Sequence, residues 1–183
     1  MVSLLQCLLN ILFFIIISKN YIYAKEFIIR NTINDFENLS NIIKENQNDD
    51  ELVLNFVDEY YYTPESNGRY GIDVNSNITF RGNKNGTVYD FHHERNREYL
   101  FAFSVTKGKT VKFENFIFKN YYADNERPGL YMFTVTADTD NHYLKFYNCT
   151  FQNNYYTIFR SRVENKKPTH TDPSYVFEKC NFM

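Results

Sequence analysis

The sequence predicts an all-β chain wound as a parallel β-solenoid, and three observations carry that reading. First, four segments superimpose without gaps: NITF ending at Phe80, VKFENFIF at 111–118, LKFYNCTF at 144–151 and YVFEKCNF at 175–182. Second, their anchor residues Phe80, Phe113, Phe146 and Phe177 recur at intervals of 33, 33 and 31 residues, a period that marks stacked supersecondary units burying one another's apolar faces. Third, apolar residues alternate inside each copy (Val111, Phe113, then Phe116, Phe118) and change phase across one residue, as two short strands meeting at a bend would.

The bend column is Gly82, Asn115, Asn148, Lys179. Gly and Asn enter the left-handed region at low steric cost, so three of the four positions suit a one-residue corner, whereas Lys179 does not. A second Asn column, Asn120 and Asn153, serves the next corner. Between copies, YLFAFSVT at 99–106 and LYMFTVTA at 130–137 supply a third strand per coil, each closed by a polar turn, TKGKT or DTDNH. Helical repeats of similar period require helix-spaced apolar residues; copies rich in Phe, Tyr, Val, Thr and Asn exclude them.

The run F-x-N-x-x-F-x-N followed by aromatics, in FENFIFKNYY and FYNCTFQNNYY, resembles the right-handed parallel β-helix proteins of the pectin-lyase-like superfamily over roughly residues 51–183. The resemblance implies the coil architecture and leaves activity open, because the fold carries lyases, hydrolases, adhesins and proteins without chemistry. Its polygalacturonase branch carries N-T-D, paired Asp, G-H-G and R-I-K motifs, none of which is present. Its pectate-lyase-like branch holds calcium with clustered Asp; the nearest analogue is Asp138-x-Asp140-Asn141, hard oxygen ligands in a turn where Asp and Asn are also expected for backbone reasons.

Residues 1–24 read as a secretory signal peptide: the apolar run LLQCLLNILFFIII at 4–17 is too short to span a bilayer comfortably, and Ala24 offers a cleavage point. Residues 25–50 read as an N-terminal capping helix, with Ile33, Phe36, Leu39, Ile42 and Ile43 at helical spacing and Thr32 with Asp35 as a capping box. Such a lid would cover the strand edges at the end of a solenoid, with ELVLNFV at 51–57 as the first strand beneath it. Residues 51–183 form the rungs. The sequence stops one residue after Phe182, inside a rung, so further rungs or a partner chain are expected at that edge.

A mature chain of about 160 residues makes one domain. Net charge is −2, so neither nucleic acid nor an anionic membrane is suggested, and no second apolar stretch reaches spanning length. Cys7 lies in the signal. Cys149 and Cys180 share one position in consecutive rungs, about 4.8 Å apart, so they read either as a disulfide or as two stacked, reduced inward residues. Four sequons occur, at Asn38, Asn77, Asn85 and Asn148, with Asn85 in the NKNGT loop the most accessible.

Outward residues of neighbouring rungs should align in columns. Arg81, Glu114, Tyr147 and Glu178 form one, with a cross-rung ion pair between Arg81 and Glu114; Lys112 and Lys145 stack in another. Arg160 and Arg162 project from one face, with Lys166 and Lys167 nearby, as binding of an acidic polysaccharide would require. The doublets Tyr121-Tyr122 and Tyr155-Tyr156 follow the Asn column and offer an apolar face and a hydroxyl to a sugar ring, one member of each turning inward. Asp58 with Glu59, and His92, His93 and Glu94, sit on adjacent positions that diverge along a strand, which counts against paired acid/base chemistry. The expectation is a secreted, non-catalytic extracellular scaffold or glycan-facing domain without a cofactor other than calcium. The alternative is a fragment of a polysaccharide lyase or glycoside hydrolase of the same fold.

Overall fold

A computed structural model describes residues 24–62, 70–92, 101–122, 131–155, 157–164 and 171–183. The chain forms β1 (Ala24–Ile29), α1 (Ile33–Glu45), β2 (Glu51–Phe56), β3 (Tyr60–Tyr62), β4 (Tyr70–Val74), β5 (Asn77–Arg81), β6 (Thr87–Asp90) and β7 (Phe101–Val105). There follow β8 (Thr110–Glu114), β9 (Phe116–Lys119), β10 (Phe133–Ala137), β11 (Tyr143–Tyr147), β12 (Thr150–Gln152), β13 (Phe159–Val163), β14 (Tyr175–Glu178) and β15 (Asn181–Phe182). They stack into three parallel sheets: sheet A in the order β1-β2-β5-β8-β11-β14, sheet B in the order β15-β12-β9-β6-β3, sheet C in the order β13-β10-β7-β4. Each full coil places one strand in each sheet, giving a parallel β-solenoid of about 4 turns with a single short helix among the described residues.

The anchor phenylalanines form one internal column. Phe80 and Phe113 stack at 4.5 Å, Phe113 and Phe146 at 5.3 Å, Phe146 and Phe177 at 4.9 Å, all within 10° of parallel. A second column on sheet B runs through Phe118, Phe151 and Phe182 at 5.4 and 4.9 Å. Sheet C contributes Phe101 and Phe133, stacked at 5.6 Å and edge-on to Phe113. The parallel register forces these stacks, because a one-coil translation superimposes like side chains at about the interstrand spacing. At each corner aromatic edges meet aromatic faces, the arrangement their quadrupoles favour.

The corners between sheets A and B have the expected left-handed conformation at Asn115 and Asn148, with φ of 61° and 52°, and Lys179 takes it too, at 54°, against the expectation from its residue type; the next corner has it at Asn120 and Asn153. Asn148 Nδ2 donates to Asn115 Oδ1 at 2.8 Å, the start of an amide ladder along the corner. Lys179 adopts the strained conformation while its ammonium donates to Tyr147 Oη at 2.7 Å and lies over that ring. Gly82 differs from expectation: it is not left-handed. A Cβ there would lie 2.4 Å from the Asn115 carbonyl oxygen, so glycine is required by a close approach of two backbones, and the left-handed glycine of this wider turn is Gly86, at φ 98°.

The N-terminal region also departs from the reading. The first strand among the described residues is β1, which pairs in register with β2 from Ala24↔Glu51 to Ile29↔Phe56; residues 25–50 therefore begin in a strand and are not helix alone. Thr32 accepts from the Asp35 amide at 3.2 Å as N-cap, but Asp35 Oδ2 reaches past it to the Arg30 amide at 2.7 Å. The helix packs beside β4, with Leu39 and Ile43 buried in the common core and Gln47 bonded to the backbone of Asp73, Asn75 and Ser76.

Candidate functional site

The outward side chains of the three sheets differ sharply. On sheet A they are large or charged. The column Arg81, Glu114, Tyr147, Glu178 is in register, Arg81 Nε donates to Glu114 at 3.2 Å, and Lys112 also bonds Glu114. Lys112 and Lys145 stand opposite each other, as expected; the Lys145 ammonium lies over the Tyr143 ring. Glu114 is held below the usual carboxylate range: burial alone would raise it, and the bonds from Lys112 and Arg81 outweigh that. Such cross-strand pairs read as a self-satisfied ladder.

Sheet C is built otherwise. Its strands bury Ile72, Val74, Phe101, Phe103, Val105, Phe133, Val135 and Ala137, so alternation turns the intervening residues to solvent. The register aligns them as Gly71, Ala102, Thr134, Arg160 and as Asp73, Ser104, Thr136, Arg162. Small residues thus floor the outer face over β4, β7 and β10, and two arginines close it on β13. A cavity of about 620 Å³ opens here, reached by Asp73, Ser104, Thr106, Lys107, Thr136 and Asp138. A second, of about 350 Å³, lies between α1 and β4 and shares Asp73 and Asn75 with the first. Together they run across the strands from α1 over β4 and β7 to β10, and neither is lined by Arg160 or Arg162.

Arg160 lies 5.1 Å over the Tyr131 ring, and Arg162 pairs with Glu164 at 2.9 Å. The Thr134 hydroxyl oxygen, beneath this row, is buried with no hydrogen-bond partner among the described residues. The face carries Asp73, Asp138 and Glu164 beside Lys107, Arg160 and Arg162, so its charge is mixed. Lys166 and Lys167 lie outside the described residues.

The tyrosine doublets do not align with each other. Asn154 intervenes after Asn153: its side-chain oxygen accepts from the Tyr121 amide at 2.9 Å, and the Tyr155 amide donates to the Tyr121 carbonyl. Tyr121 is therefore the inward member, 3 % exposed, its hydroxyl without a partner among the described residues and its pKa pushed well up by burial; it presents almost no surface to a ligand. Tyr122 instead meets Tyr155, edge to face at 6.4 Å, on the outside of the corner. Tyr156 falls outside the described residues.

Asp138 is exposed in the turn after β10 and lines the larger cavity, whereas Asp140 is tied into the turn, where its carbonyl accepts from the His142 amide and the Ser174 hydroxyl. Among the described residues no three His, Cys, Asp or Glu side chains gather as a metal site. Asn38 and Asn85 are exposed, Asn148 is exposed at its tight corner, and Asn77 is half-buried with its side-chain oxygen accepting from the Thr110 amide. Asp58 accepts from the Asn31 amide at 2.7 Å and so bridges β1 to the β2–β3 turn. His93 and Glu94 lie outside the described residues; His92 meets the Tyr62 edge.

Two polar networks escaped the sequence reading. Asp90, 3 % exposed, accepts from the Tyr60 hydroxyl, Asn120 Nδ2 at 2.8 Å and the His92 amide at 2.9 Å, and pairs with Lys119 at 3.3 Å. Burial would raise its pKa, but these bonds hold it at about 2. Fully buried His142 lies 2.7 Å from the Thr139 carbonyl through Nδ1 and 2.7 Å from the Tyr175 hydroxyl through Nε2, and Tyr175 continues to Ser161. Because the carbonyl can only accept, Nδ1 donates to it. Alternation gave no signal for Asp90: it shares the outward phase of β6 with Val88, in register with Lys119, while Thr87 and Tyr89 turn inward, and it is buried because Tyr60, Lys119 and Asn120 cover it.

No protein-family model, curated protein or solved structure matches this chain. No helix among the described residues is long and apolar enough to cross a membrane.

Proposed function

We propose that this chain is a secreted, non-catalytic β-helix scaffold of the pectin-lyase-like kind whose sheet C face holds an extended glycan. The carrying observation is the contrast between faces: sheet A's outer surface is closed by its own ion pairs, while sheet C opens a cavity lined by Ser104, Thr106 and Thr136, beside the small outward residues Gly71 and Ala102. Flat floors of small polar residues let a polymer approach the backbone, and hydroxyls, carboxylates and cations in mixture suit the donors and acceptors of a sugar chain better than they suit a polyanion. Across α1 and the three strands β4, β7 and β10 the two cavities extend roughly 20 Å, room for several sugar units. The two arginines on β13 would meet an acidic substituent at one end. The solenoid supplies the rigid support, and α1 beside β4 serves as the lid of its first coil.

The experiment is a glycan array probed with the secreted chain, followed by incubation with each bound polysaccharide, with and without calcium, and measurement of new reducing ends and unsaturated products. Binding to hydroxyl-rich chains without product supports the reading. Bond cleavage would assign the chain to the lyases or hydrolases instead, and absence of any glycan binding would remove the glycan from the account.

A further inference from the structure

A column of inward side chains at the corner between sheets A and B passes through Thr87, Phe116, Cys149 and Cys180. Thr87, Phe116 and Cys149 are buried, and Cys180 is half-buried at the last coil. The two cysteines are unbridged thiols held in equivalent positions. Cys149 Sγ lies against the carbonyls of Phe113 and Tyr147 at 3.6 and 3.4 Å, and Cys180 Sγ against those of Phe146 and Glu178 at 3.5 and 3.4 Å. The backbone bonds Asn148 N to Glu178 O (2.9 Å) and Asn181 N to Cys149 O (3.0 Å) bracket the pair. Their α-carbons are therefore one interstrand spacing apart, about 4.8 Å, inside the range that a disulfide spans.

We propose that Cys149 and Cys180 form a reversible disulfide that staples the β14–β15 coil to the coil of β11 and β12, with a low-molecular-weight disulfide as oxidant. The staple would join strands that already pair directly, β14 with β11 and β15 with β12. Cys180, the more accessible sulfur, attacks first as its thiolate, displacing one glutathione from glutathione disulfide and leaving a mixed disulfide. Cys149 then displaces the second glutathione. Two protein thiols are oxidised, one glutathione disulfide is reduced to two glutathiones, and the thiol protons go to the departing thiolates. Burial pushes the Cys149 thiol up to about 12, so the second step is the slow one and accelerates with pH.

The test uses the full chain carrying Cys7→Ser, incubated with glutathione disulfide. Intact mass should fall by two hydrogens, digestion should yield a joined peptide pair containing Cys149 and Cys180, and melting should rise by roughly 5–10 °C, reversed by a dithiol reductant. Adding Cys149→Ser should instead leave one stable glutathione on Cys180. A persistent glutathione adduct in the chain that retains both cysteines, a linked dimer, or an internal disulfide with no rise in melting temperature would each overturn the proposal.

Discussion

Truncating Phe113 to alanine should cost far more than the same change at Phe177, although the two occupy one column. Phe113 is 1 % exposed, stacked on Phe80 and Phe146 and edge-on to Phe101, Phe103, Phe116, Phe118 and Phe133. Its removal opens a closed cavity among rigid rings, so we expect a loss of about 4 kcal/mol, in the middle of the range for buried Phe→Ala. Phe177 is 41 % exposed, stacks on one side only, on Phe146, and touches Phe151 and Phe182. Over half of its surface is buried but no closed cavity forms, so about 1.5–2 kcal/mol is lost. With a urea slope of roughly 2 kcal/mol/M, the midpoints should fall by about 2 M and 1 M respectively at unchanged slope. Equal losses at the two positions would refute the stacked-column account.

Asn115→Gly and Asn115→Ala both lose the amide bond from Asn148, but glycine keeps access to φ 61° while alanine adds strain there, so the alanine variant should be the less stable of the two by about 1–2 kcal/mol in the same urea titration. Gly82→Ala should destabilise by about 1–3 kcal/mol by pushing the Asn115 carbonyl away, visible as a lower midpoint. Asp90 is depressed to about 2 in the folded chain; its contribution is complete above the ordinary aspartate pKa and is lost as pH falls from about 4 toward 2. Wild type should therefore lose up to about 2 kcal/mol through that window relative to Asp90→Asn; parallel pH profiles would refute the assignment.

The coil was legible because its determinants are local and periodic: the phenylalanine spacing, the alternation of VKFENFIF and the asparagines at the corners need no tertiary information. What escaped depends on neighbours in adjacent coils. Gly82 has the composition of a left-handed corner but answers to the Asn115 carbonyl one coil away. The tyrosine doublets look aligned in sequence, yet the extra Asn154 shifts the second by one residue, and the shift decides that Tyr121 is buried while Tyr155 is exposed. Strand β1 turns only Phe27 and Ile29 inward, too few positions to read as alternation. Arg160 and Arg162 were found by charge; the groove on the same sheet was not, because it is made of small residues whose signal lies in what Ala102, Ser104 and Thr136 omit.

The sheet C face is tested most directly by filling its floor. Ser104→Trp, set against Lys145→Trp on the outer face of sheet A, should be titrated with size-graded neutral gluco-oligosaccharides and oligouronates. The account predicts at least a tenfold loss of affinity, about 1.4 kcal/mol, for Ser104→Trp and none for Lys145→Trp, with unchanged melting for both. Unaltered glycan binding by Ser104→Trp, or an equal loss in the two variants, would contradict it.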